Sequence, residues 1–509
     1  MNVANFFNHW NLTENPFRGE EARHDSVFAR IGFETAGAPP STHSDFEKIL
    51  GELSRPSTSI VFGEKGSGKT AIRLQIVHRV RAQNAQHPSH QTFLVSYDDL
   101  NPFLEQIHSR MGGNDPAASL RAVRLIDHLD AILALAVTEL TDTLTGAART
   151  ESINALGPEV ARTARSFPPA VKNEFRILQA LYDQRDTDGH RTSRLRRALR
   201  VGGAMSSVLR TTILLFGWVP SVALAGAVLF AELDEQLKTI AAYAALGFGV
   251  LYLLAALKLL FWNRFRVLRL ARRVRKHRRA LPREESSYAA SLAQLPLAVR
   301  AQISHDDNEA SRYALLASLH RALESLGFSG ILVLVDRVDE PTLINGDTQR
   351  MQSIIWPMLN NKFLQQERMG LKMLLPIELR YALFKESSAF FQEARLDKQS
   401  FIERLSWTGA MLYDLCNARL NACRPTDLPP ISLLDLFAED VTRQDLVDAL
   451  DQMHQPRDAL KFLYRCLNEH CSNVTAEDGS WRIPKLVLDN CRRQEVERVQ
   501  QLYRGIRPA

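Results

Sequence analysis

The chain has 509 residues, of which 45% are hydrophobic and 24% charged, and its formal net charge at pH 7 is +6. This length and composition predict about two to four domains with at least one large core, which excludes wholesale disorder. The positive charge indicates an anionic partner, either nucleic acid or lipid. The five cysteines form no CxxC pair, and we interpret them as reduced cytosolic thiols rather than a disulfide framework. The first twenty residues contain no apolar signal region, so we expect a cytosolic N-terminus.

The first motif follows a short apolar run near the N-terminus. Ser59–Phe62 predicts a buried β-strand and leads directly into Gly63–Thr70. That segment matches the pattern GxxxxGK followed by serine or threonine at every fixed position, and Ala71–Val77 then shows helical spacing. A strand, a glycine-rich loop and a helix in this order are the context of a phosphate-binding loop.

The residue types of this loop suit a nucleoside triphosphate. The glycines let backbone amides approach the phosphates, and the start of the following helix adds favourable partial charge. We expect Lys69 to reach the terminal phosphates and Thr70 to ligate Mg²⁺. The predicted nucleotide-binding residues are Gly63, Glu64, Lys65, Gly66, Ser67, Gly68, Lys69, Thr70 and Ala71. The loop is therefore predicted to bind ATP or GTP together with Mg²⁺.

A long helical region follows the first part of the predicted core. Residues 92–98 read as a second strand, after which Asp98 and Asp99 either face the nucleotide or cap the next helix. From about Leu104 to Arg200 the spacing of apolar residues is helical. We interpret this region as a cytosolic helical insertion in the core.

Two uncharged stretches come next. Thr211–Ala231 and Thr239–Leu257 are each about long enough to cross a hydrocarbon core of roughly 30 Å as a helix. The short acidic segment Glu232–Lys238 joins them, so the pair predicts a transmembrane hairpin. Pro220 is expected to kink the first span, which membrane helices tolerate. The alternative is a helical hairpin buried in a soluble core.

Basic residues flank this hairpin on both sides. Five arginines precede it (Arg191, Arg194, Arg196, Arg197 and Arg200), and nine basic residues follow it within Arg264–Arg279. By the positive-inside rule both flanks are cytosolic. We therefore predict a protein of the inner cell membrane with two spans, and with both termini and the nucleotide-binding domain in the cytoplasm. Anionic membrane lipids account for much of the positive charge, so nucleic acid stays open as a partner but is not required.

The second half of the predicted site lies beyond the hairpin. The helical pattern Glu309–Leu326 leads to Gly330–Val335, the best candidate for a buried parallel strand, which ends in the acidic segment Asp336–Glu340. Ligands of α/β sheets bind at this end of the strands. Asp336 is our candidate for Mg²⁺, directly or through water. Either Glu340 or Asp339 is expected to polarise the attacking water, with Glu340 preferred; the alternative is a solvated acidic turn.

The segment Leu334–Glu340 resembles the Walker B motif of the NACHT and KAP families of P-loop NTPases. In these families an apolar strand ends in Asp, followed after two residues by a second Asp and often another acid. Arg337 stands where KAP proteins commonly have Asp and NACHT proteins have Gly. KAP NTPases also carry membrane helices between Walker A and Walker B, which matches the predicted hairpin. The resemblance implies ATP as the nucleotide and an ATPase activity.

Further segments resemble parts of such ATPases. Lys372–Pro376 is an apolar strand where these proteins carry a phosphate-sensing strand, and Glu378 beyond it is either the polar reader or part of a surface loop. Gln455–Leu463 begins a helix similar to the lid helix of AAA+ and STAND proteins, whose arginine contacts phosphates. By this resemblance Arg457 is a catalytic candidate, the alternative being a solvated helix start. Arg404 or Arg419 could reach the nucleotide of a neighbouring subunit.

These predictions combine into an α/β fold. It is a P-loop NTPase core with an ASCE-type parallel sheet, a helical insertion, a two-helix transmembrane hairpin and a C-terminal helical lid. The predicted boundaries are 1–102 for the first half of the core, 103–204 for the insertion, 205–262 for the hairpin, 263–327 for basic and return helices, 328–395 for the second half of the core and 396–509 for the lid.

The predicted function is that of a membrane-anchored ATPase that acts as a nucleotide-driven switch at the cytosolic membrane face. Proteins of the families it resembles act in signalling, membrane-linked assembly and bacterial defence. Two alternatives stay open: an ATP-powered component of an oligomeric transporter or channel, and a tethered ATPase that processes DNA. We expect a homo-oligomer or a partner protein from the same operon.

Overall fold

The chain divides into two compact units. The computed structural model describes residues 1–19, 21–33, 41–147, 154, 159–201, 205–230, 234–304, 306–475 and 479–503. The first unit comprises Met1–Leu100 and Ser329–Ala509, and the second comprises Asn101–Phe328. The first unit is built around a β-sheet, whereas the described part of the second consists of helices apart from its last residue.

The sheet of the first unit has five strands, all parallel, in the order β2-β3-β4-β1-β5. The strands are β1 (Ser59–Gly63), β2 (Gln91–Tyr97), β3 (Phe328–Val335), β4 (Met369–Pro376) and β5 (Ser400–Ile402). All residues of β1 and β4 are buried, as expected for central strands covered on both faces. The predicted α/β class with a parallel sheet is confirmed. The edge strand β5 lies inside the range predicted as the helical lid, because three residues are too few to show a strand period.

The register of the central strands brings the motifs to one edge of the sheet. Gly63 at the end of β1 pairs with Pro376 at the end of β4, and Val335 at the end of β3 pairs with Met373. The chain segments that follow these three strands therefore leave the sheet at the same edge, where α/β proteins bind ligands.

Four helices accompany the first two strands: α1 (Val3–His9), α2 (Ser26–Ile31), α3 (Phe46–Leu50) and α4 (Lys69–Gln86). The 18-residue helix α4 buries Ile72, Ile76 and Val80 against the core. It begins at Gly68, which has a φ of 95° and contributes no side-chain acceptor to the first turn. Glycine adopts this left-handed conformation without a steric penalty, so the helix starts directly from the loop.

The second unit is helical. Its helices are α5 (Asn101–Arg110), α6 (Pro116–Arg121), α7 (Leu125–Leu144), α8 (Glu159–Arg165), α9 (Pro169–Tyr182), α10 (His190–Ala198), α11 (Met205–Phe216), α12 (Val219–Phe230), α13 (Glu235–Leu257), α14 (Asn263–His277), α15 (Glu285–Ala293), α16 (Leu297–Arg300) and α17 (Glu309–Glu324). Helix α7 is central and packs against α9 and α17. Inside this bundle Asp130 accepts two 3.1 Å bonds from Arg312 and a 2.7 Å bond from Tyr182, which compensates the buried charge.

Two stretches of this unit, Thr211–Phe230 and Glu235–Leu257, are long and apolar enough to cross a membrane. Their apolar windows are not buried in the chain, and Phe230 is 90% exposed. A hairpin in the core of a soluble domain would have buried these side chains. The alternative of a hairpin buried in a soluble core therefore does not agree with the structure. Residue 231 of the predicted first span and residues 232 and 233 of the predicted connection lie outside the described residues. The rest of the connection is helical, because α13 begins at Glu235 with its N-cap at Asp234.

The first apolar stretch is interrupted next to its proline. Helix α11 ends at Phe216, a turn at Gly217 and Trp218 follows, and Pro220 lies in the first turn of α12. Proline has no N–H group and its ring crowds the carbonyl four residues earlier, which explains the interruption at this position. The two apolar stretches are joined by a hydrogen bond from Ser221 Oγ to the carbonyl of Ala245, at 2.7 Å.

Helix α13 continues through a π-helical turn at Lys258–Trp262 into the basic helix α14. The end of α14 is fixed by Arg110, whose guanidinium donates to the carbonyls of Arg275 at 2.6 Å and Arg278 at 3.1 Å. These bonds satisfy carbonyls that have no partner within the helix.

The remaining helices belong to the first unit. They are α18 (Thr348–Ile355), α19 (Asn361–Leu364), α20 (Ile377–Leu383), α21 (Ser388–Ala394), α22 (Gly409–Ala422), α23 (Arg443–Asp451), α24 (Pro456–Asn473) and α25 (Lys485–Tyr503), with 3₁₀ turns at Trp356–Met358, Leu396–Lys398 and Leu433–Leu436. Helices α22 to α25 and the N-terminal Phe6 share one hydrophobic core. All five cysteines are buried thiols in this part of the chain.

Candidate functional site

A cavity of about 430 Å³ opens at the carboxyl edge of the sheet, and every residue that lines it belongs to the first unit. Its lining includes the glycine-rich loop Gly63–Thr70 except for Ser67, the acidic turn after β3, and the start of α24. The fold thus brings together the loop, the acids and the lid arginine that the sequence predicted as one site. Cavities of this size bind small ligands in other proteins.

The loop has a conformation that requires glycine. Gly66 has a φ of 100°, and a Cβ atom there would lie 2.9 Å from Cβ of Arg457. A Cβ atom on Gly63 would lie 2.5 Å from Oγ of Ser67. Ser67 itself is buried beneath the loop and donates to the carbonyl of Glu64 at 2.8 Å. The positive φ and the close contact with Arg457 therefore both favour glycine at position 66.

Lys69 lies in the first turn of α4 with its amino group directed at the loop. Its Nζ donates to the carbonyl of Gly63 at 2.6 Å and to that of Glu64 at 3.0 Å. Burial lowers the pKa of Lys69, and the negative charges of Asp339, Asp336, Glu378 and Glu64 oppose this shift. The amino group of Lys69 is thus held close to several acids beside the glycine-rich loop. Thr70 and Ala71 follow it in the first turn and also line the cavity.

Asp336 follows β3 and is 2% exposed. Burial raises its pKa to about 6, although the nearby cation of Arg73 opposes the shift. Nε of Arg73 lies 3.3 Å from Oδ2 of Asp336, but neither atom makes a hydrogen bond. A buried carboxylate oxygen in this state fits the role of a ligand for a hard cation.

Arg73 also contacts Asp98, at the end of β2. Asp98 therefore forms an ion pair with an arginine of α4. This role differs from both alternatives predicted from the sequence, in which Asp98 faces the nucleotide or caps the next helix. Sequence reasoning did not select Arg73. The sequence pattern that could have indicated its role is a charged residue on the side of α4 that also buries Ile72 and Ile76.

The two acids proposed to polarise water have different surroundings. Asp339 is half-buried. Among the nearby acids, its negative charge has the largest effect on the pKa of Lys69. The carboxylate of Glu340 is about half exposed and forms an ion pair with Arg337, which has a φ of 60°. Both acids line the cavity. These surroundings associate Asp339 with the lysine and Glu340 with Arg337.

Two segments of the C-terminal part of the chain touch the loop directly. Gln455, the N-cap of α24, donates to Oε2 of Glu64, and Nη2 of Arg404 lies 2.7 Å from the other oxygen of this carboxylate. Arg457 lies in the first turn of α24 and lines the cavity, as does Glu378 in the first turn of α20. Gln455 was not selected from the sequence, because its contact joins residues 391 positions apart.

Arg404 and Arg419 do not have the same environment. Arg419 is 3% exposed and bonds to Oδ2 of Asp25 and to the carbonyl of Pro16, each at 2.7 Å. It stabilises the interior of the first unit, and it also lines the cavity of its own chain. Arg404 bonds to the loop of its own chain through Glu64.

Two aromatic rings form part of the cavity wall. The indole N–H of Trp407 donates to the carbonyl of Ser67 at 2.9 Å, and the ring of His43 lies edge-to-face with it at a centroid distance of 4.8 Å. Both residues line the cavity. Sequence reasoning missed them, because neither belongs to a motif.

The residues at this site suit a phosphorylated ligand with a cation. Lys65, Lys69 and Arg457 supply positive charge, and α4 directs its first N–H groups toward the cavity. Within the described residues, no group of three or more His, Cys, Asp or Glu side chains has the geometry to hold a metal. Thr70 and Asp336, the two residues predicted from the sequence to hold Mg²⁺, both line the cavity.

Comparison of the chain with models of protein families, with curated proteins and with solved structures finds no match. The resemblance to KAP and NACHT proteins remains one of short motifs and of their order. A function for the chain is therefore argued from the geometry of its own site.

Proposed function

We propose that the chain is a membrane-anchored P-loop ATPase that works as a nucleotide-driven switch. One observation carries this proposal: the segment Gly63–Thr70 joins the end of the central strand β1 to the start of α4 and shares a cavity with Asp336. The strand order supports the ASCE type, because β4 lies between the strand of the loop and the strand of the acid. The KAP-like order of loop, apolar hairpin and acidic turn supports the same class.

Four residues of the loop have assigned roles in holding the nucleotide. The backbone amides of Gly66 and Gly68 and the N-terminus of α4 bind the phosphates, and Lys69 contacts the terminal ones. Thr70 and Asp336 would hold Mg²⁺, which neutralises charge on the phosphates when it is bound. Arg457 approaches from the lid and binds the phosphate end of the nucleotide.

Hydrolysis transfers the terminal phosphoryl group from ATP to water, giving ADP and phosphate. Asp339 is our first candidate to orient the attacking water and accept its proton, since its charge acts on Lys69 whereas Glu340 is paired with Arg337. Glu340 is the second candidate, and its pairing with Arg337 must open before it can act. Lys69 and Arg457 stabilise the negative charge that develops on the phosphoryl oxygens.

The hairpin gives this ATPase its location. Two apolar stretches with exposed side chains and basic flanks support insertion from the cytosolic side of the inner membrane. The exposed arginines of α14 are suited to anionic headgroups, at roughly 1 kcal/mol for each basic residue near the surface. Nucleotide binding and release at the lid would then change the protein at the membrane surface. A second copy of the chain or an operon partner is the expected recipient of this change.

The test is nucleotide binding and hydrolysis by the full chain purified in detergent. We expect Mg²⁺-dependent ATP hydrolysis that Lys69→Ala and Asp336→Asn abolish. Lys398→Ala, at an exposed site outside the cavity, should leave the rate unchanged. A wild-type protein that neither binds nor hydrolyses ATP or GTP would overturn the proposal. Strong stimulation by DNA would instead support the DNA-processing alternative.

The two acids can be distinguished in the same assay. Asp339→Asn should lower kcat by about a hundred-fold or more while ATP still binds, which is the size expected for loss of a general base. Glu340→Gln should have the smaller effect. The opposite order would return the role to Glu340.

A further inference from the structure

The cavity has an aromatic wall that the phosphate-binding residues do not explain. Trp407 follows β5 and is half-buried, and its ring lies beside Gly68, where a Cβ atom would be 3.7 Å from it. His43 lies against this ring at 4.8 Å with an interplanar angle of 81°. Neither residue contributes a positive charge to the binding of phosphate.

His43 is held as a neutral ring. Its Nδ1 accepts a 3.0 Å bond from the backbone N–H of Asp45, so its Nε2 carries the proton and donates to the carbonyl of Ser406 at 2.9 Å. The residue is 3% exposed, and burial lowers its pKa. The bond to Ser406 also fixes the backbone immediately before Trp407. His43 therefore supports the indole without adding charge.

Apolar side chains extend this wall. Phe28, Ile72 and Leu460 line the same cavity, and all three are buried. Surfaces of this kind bind a flat aromatic ligand by stacking and by burial of apolar area, and they disfavour phosphate. The cavity thus combines a charged, glycine-rich part with an aromatic, apolar part.

We propose that Trp407, supported by His43, is the platform on which the base of the nucleotide stacks. This inference rests on the proposed function, since it assigns the base of the same nucleotide. The bond from the indole to the carbonyl of Ser67 links the platform to the phosphate-binding loop. Trp407 is therefore a determinant of nucleotide affinity that acts through the base and not through the phosphates.

The experiment compares ATP with inorganic tripolyphosphate, which has the phosphates but no base. Equilibrium binding of both to the full chain in detergent with Mg²⁺ is measured for the wild type, Trp407→Leu and Trp407→Phe. We expect Trp407→Leu to weaken ATP binding about ten-fold or more and to change tripolyphosphate binding less than about two-fold. Trp407→Phe, which keeps an aromatic ring but loses the bond to Ser67, should retain most of the affinity for ATP.

Trp356→Leu is the matched control, because this tryptophan is also half-buried in the first unit but does not line the cavity. Its ATP affinity should equal that of the wild type. Equal weakening of ATP and tripolyphosphate by Trp407→Leu would overturn the platform and leave Trp407 a support of the loop. An unchanged affinity for ATP would overturn it as well. If the wild type binds neither ATP nor tripolyphosphate, the proposed nucleotide-binding function is overturned. The role of Trp407 as a platform for the base is then overturned as well.

Discussion

The guanidinium of Arg73 lies beside the carboxylate of Asp336, with Nε 3.3 Å from Oδ2. This pair connects the helix that follows the glycine-rich loop Gly63–Thr70 to the acid at the end of β3. The carboxylate is nearly inaccessible to water, and Arg73 is its closest compensating charge. The ion pair is not a hydrogen-bonded one, so Oδ2 keeps its capacity to bind a cation.

Arg73→Met should destabilise the first unit, because it leaves a buried carboxylate without its cation. Loss of one partner of a buried pair costs about 3 kcal/mol. Burial already raises the pKa of Asp336 to about 6 in the folded protein. The cost of burying its negative charge is therefore present in full above pH 6. This cost is lost as the pH falls from 6 toward the pKa that the aspartate has in the unfolded chain. The loss of thermal stability should therefore be larger at pH 8 than at pH 5.

Arg79→Met is the matched control for this prediction, since Arg79 lies on the same helix with a more exposed side chain. Its unfolding temperature should stay close to that of the wild type at both values of pH. A decrease for Arg73→Met of the same size at pH 5 and pH 8 would show that the charge of Asp336 is not the cause.

Lys372 is a second buried charge, and its replacement should stabilise the protein. Its Nζ donates to the carbonyl of Ser57 at 2.7 Å and to Oγ of Ser59 at 3.1 Å, and burial lowers its pKa to about 7. Below pH 7 the lysine is charged in both the folded and the unfolded chain, so the cost of burying the charge is present in full. Above pH 7 the folded chain loses the proton and this cost falls, to vanish near the unfolded pKa of about 10.4.

Lys372→Met should therefore raise the free energy of unfolding by about 2 kcal/mol at pH 6, after allowance for the two lost hydrogen bonds. The gain should disappear by about pH 9.5. Thermal unfolding of both proteins between these values tests it. A gain that does not depend on pH would show that packing, and not charge, is responsible.

The elements of the core were predictable, whereas several contacts of the site were not. The apolar run before Gly63 and the run before Asp336 each specify a buried strand locally, and the structure confirms both as β1 and β3. The contact of Trp407 with Ser67 joins residues 340 positions apart, and no local pattern encodes it. Periodicity reports which face of an element is buried but not which side chain it meets.

The apolar stretches also show which features of the structure the sequence pattern predicts and which it does not. Their composition predicts two helices long enough to cross a membrane, and the structure has them. The start of α13 at Glu235, and not at Thr239, depends on the cap that Asp234 provides. The side chain of Asp234 accepts a bond from the N–H of Glu235, and Glu235 places a negative charge in the first turn of the helix. Both features favour a helix start at this point, and hydropathy does not report either of them.

Glu64 is expected to control how tightly the lid closes on the loop. Its two carboxylate oxygens are bonded to Gln455 and Arg404, and both bonds join the loop to later parts of the chain. Glu64→Ala should leave the phosphate contacts intact but accelerate release of a fluorescent ATP analogue several-fold, because the lid opens more often. Glu403→Ala is the control, since its carboxylate bonds to Arg380 outside the cavity. An unchanged release rate for Glu64→Ala would contradict a role for this residue in closure.

The orientation of the hairpin can be tested with two matched cysteine substitutions. Glu235, at the start of α13, has a side chain that is 92% exposed, and that of Glu284, beyond the basic helix α14, is 75% exposed. The five native cysteines are buried, so they should react little with a maleimide reagent. Because basic flanks stay in the cytosol, Glu235→Cys should be labelled by an impermeant maleimide from the outer side of intact inner membranes. Glu284→Cys should be labelled only after the membrane is permeabilised. Labelling of both sites, or of Glu284→Cys alone, before permeabilisation would show that the apolar stretches do not form the predicted hairpin.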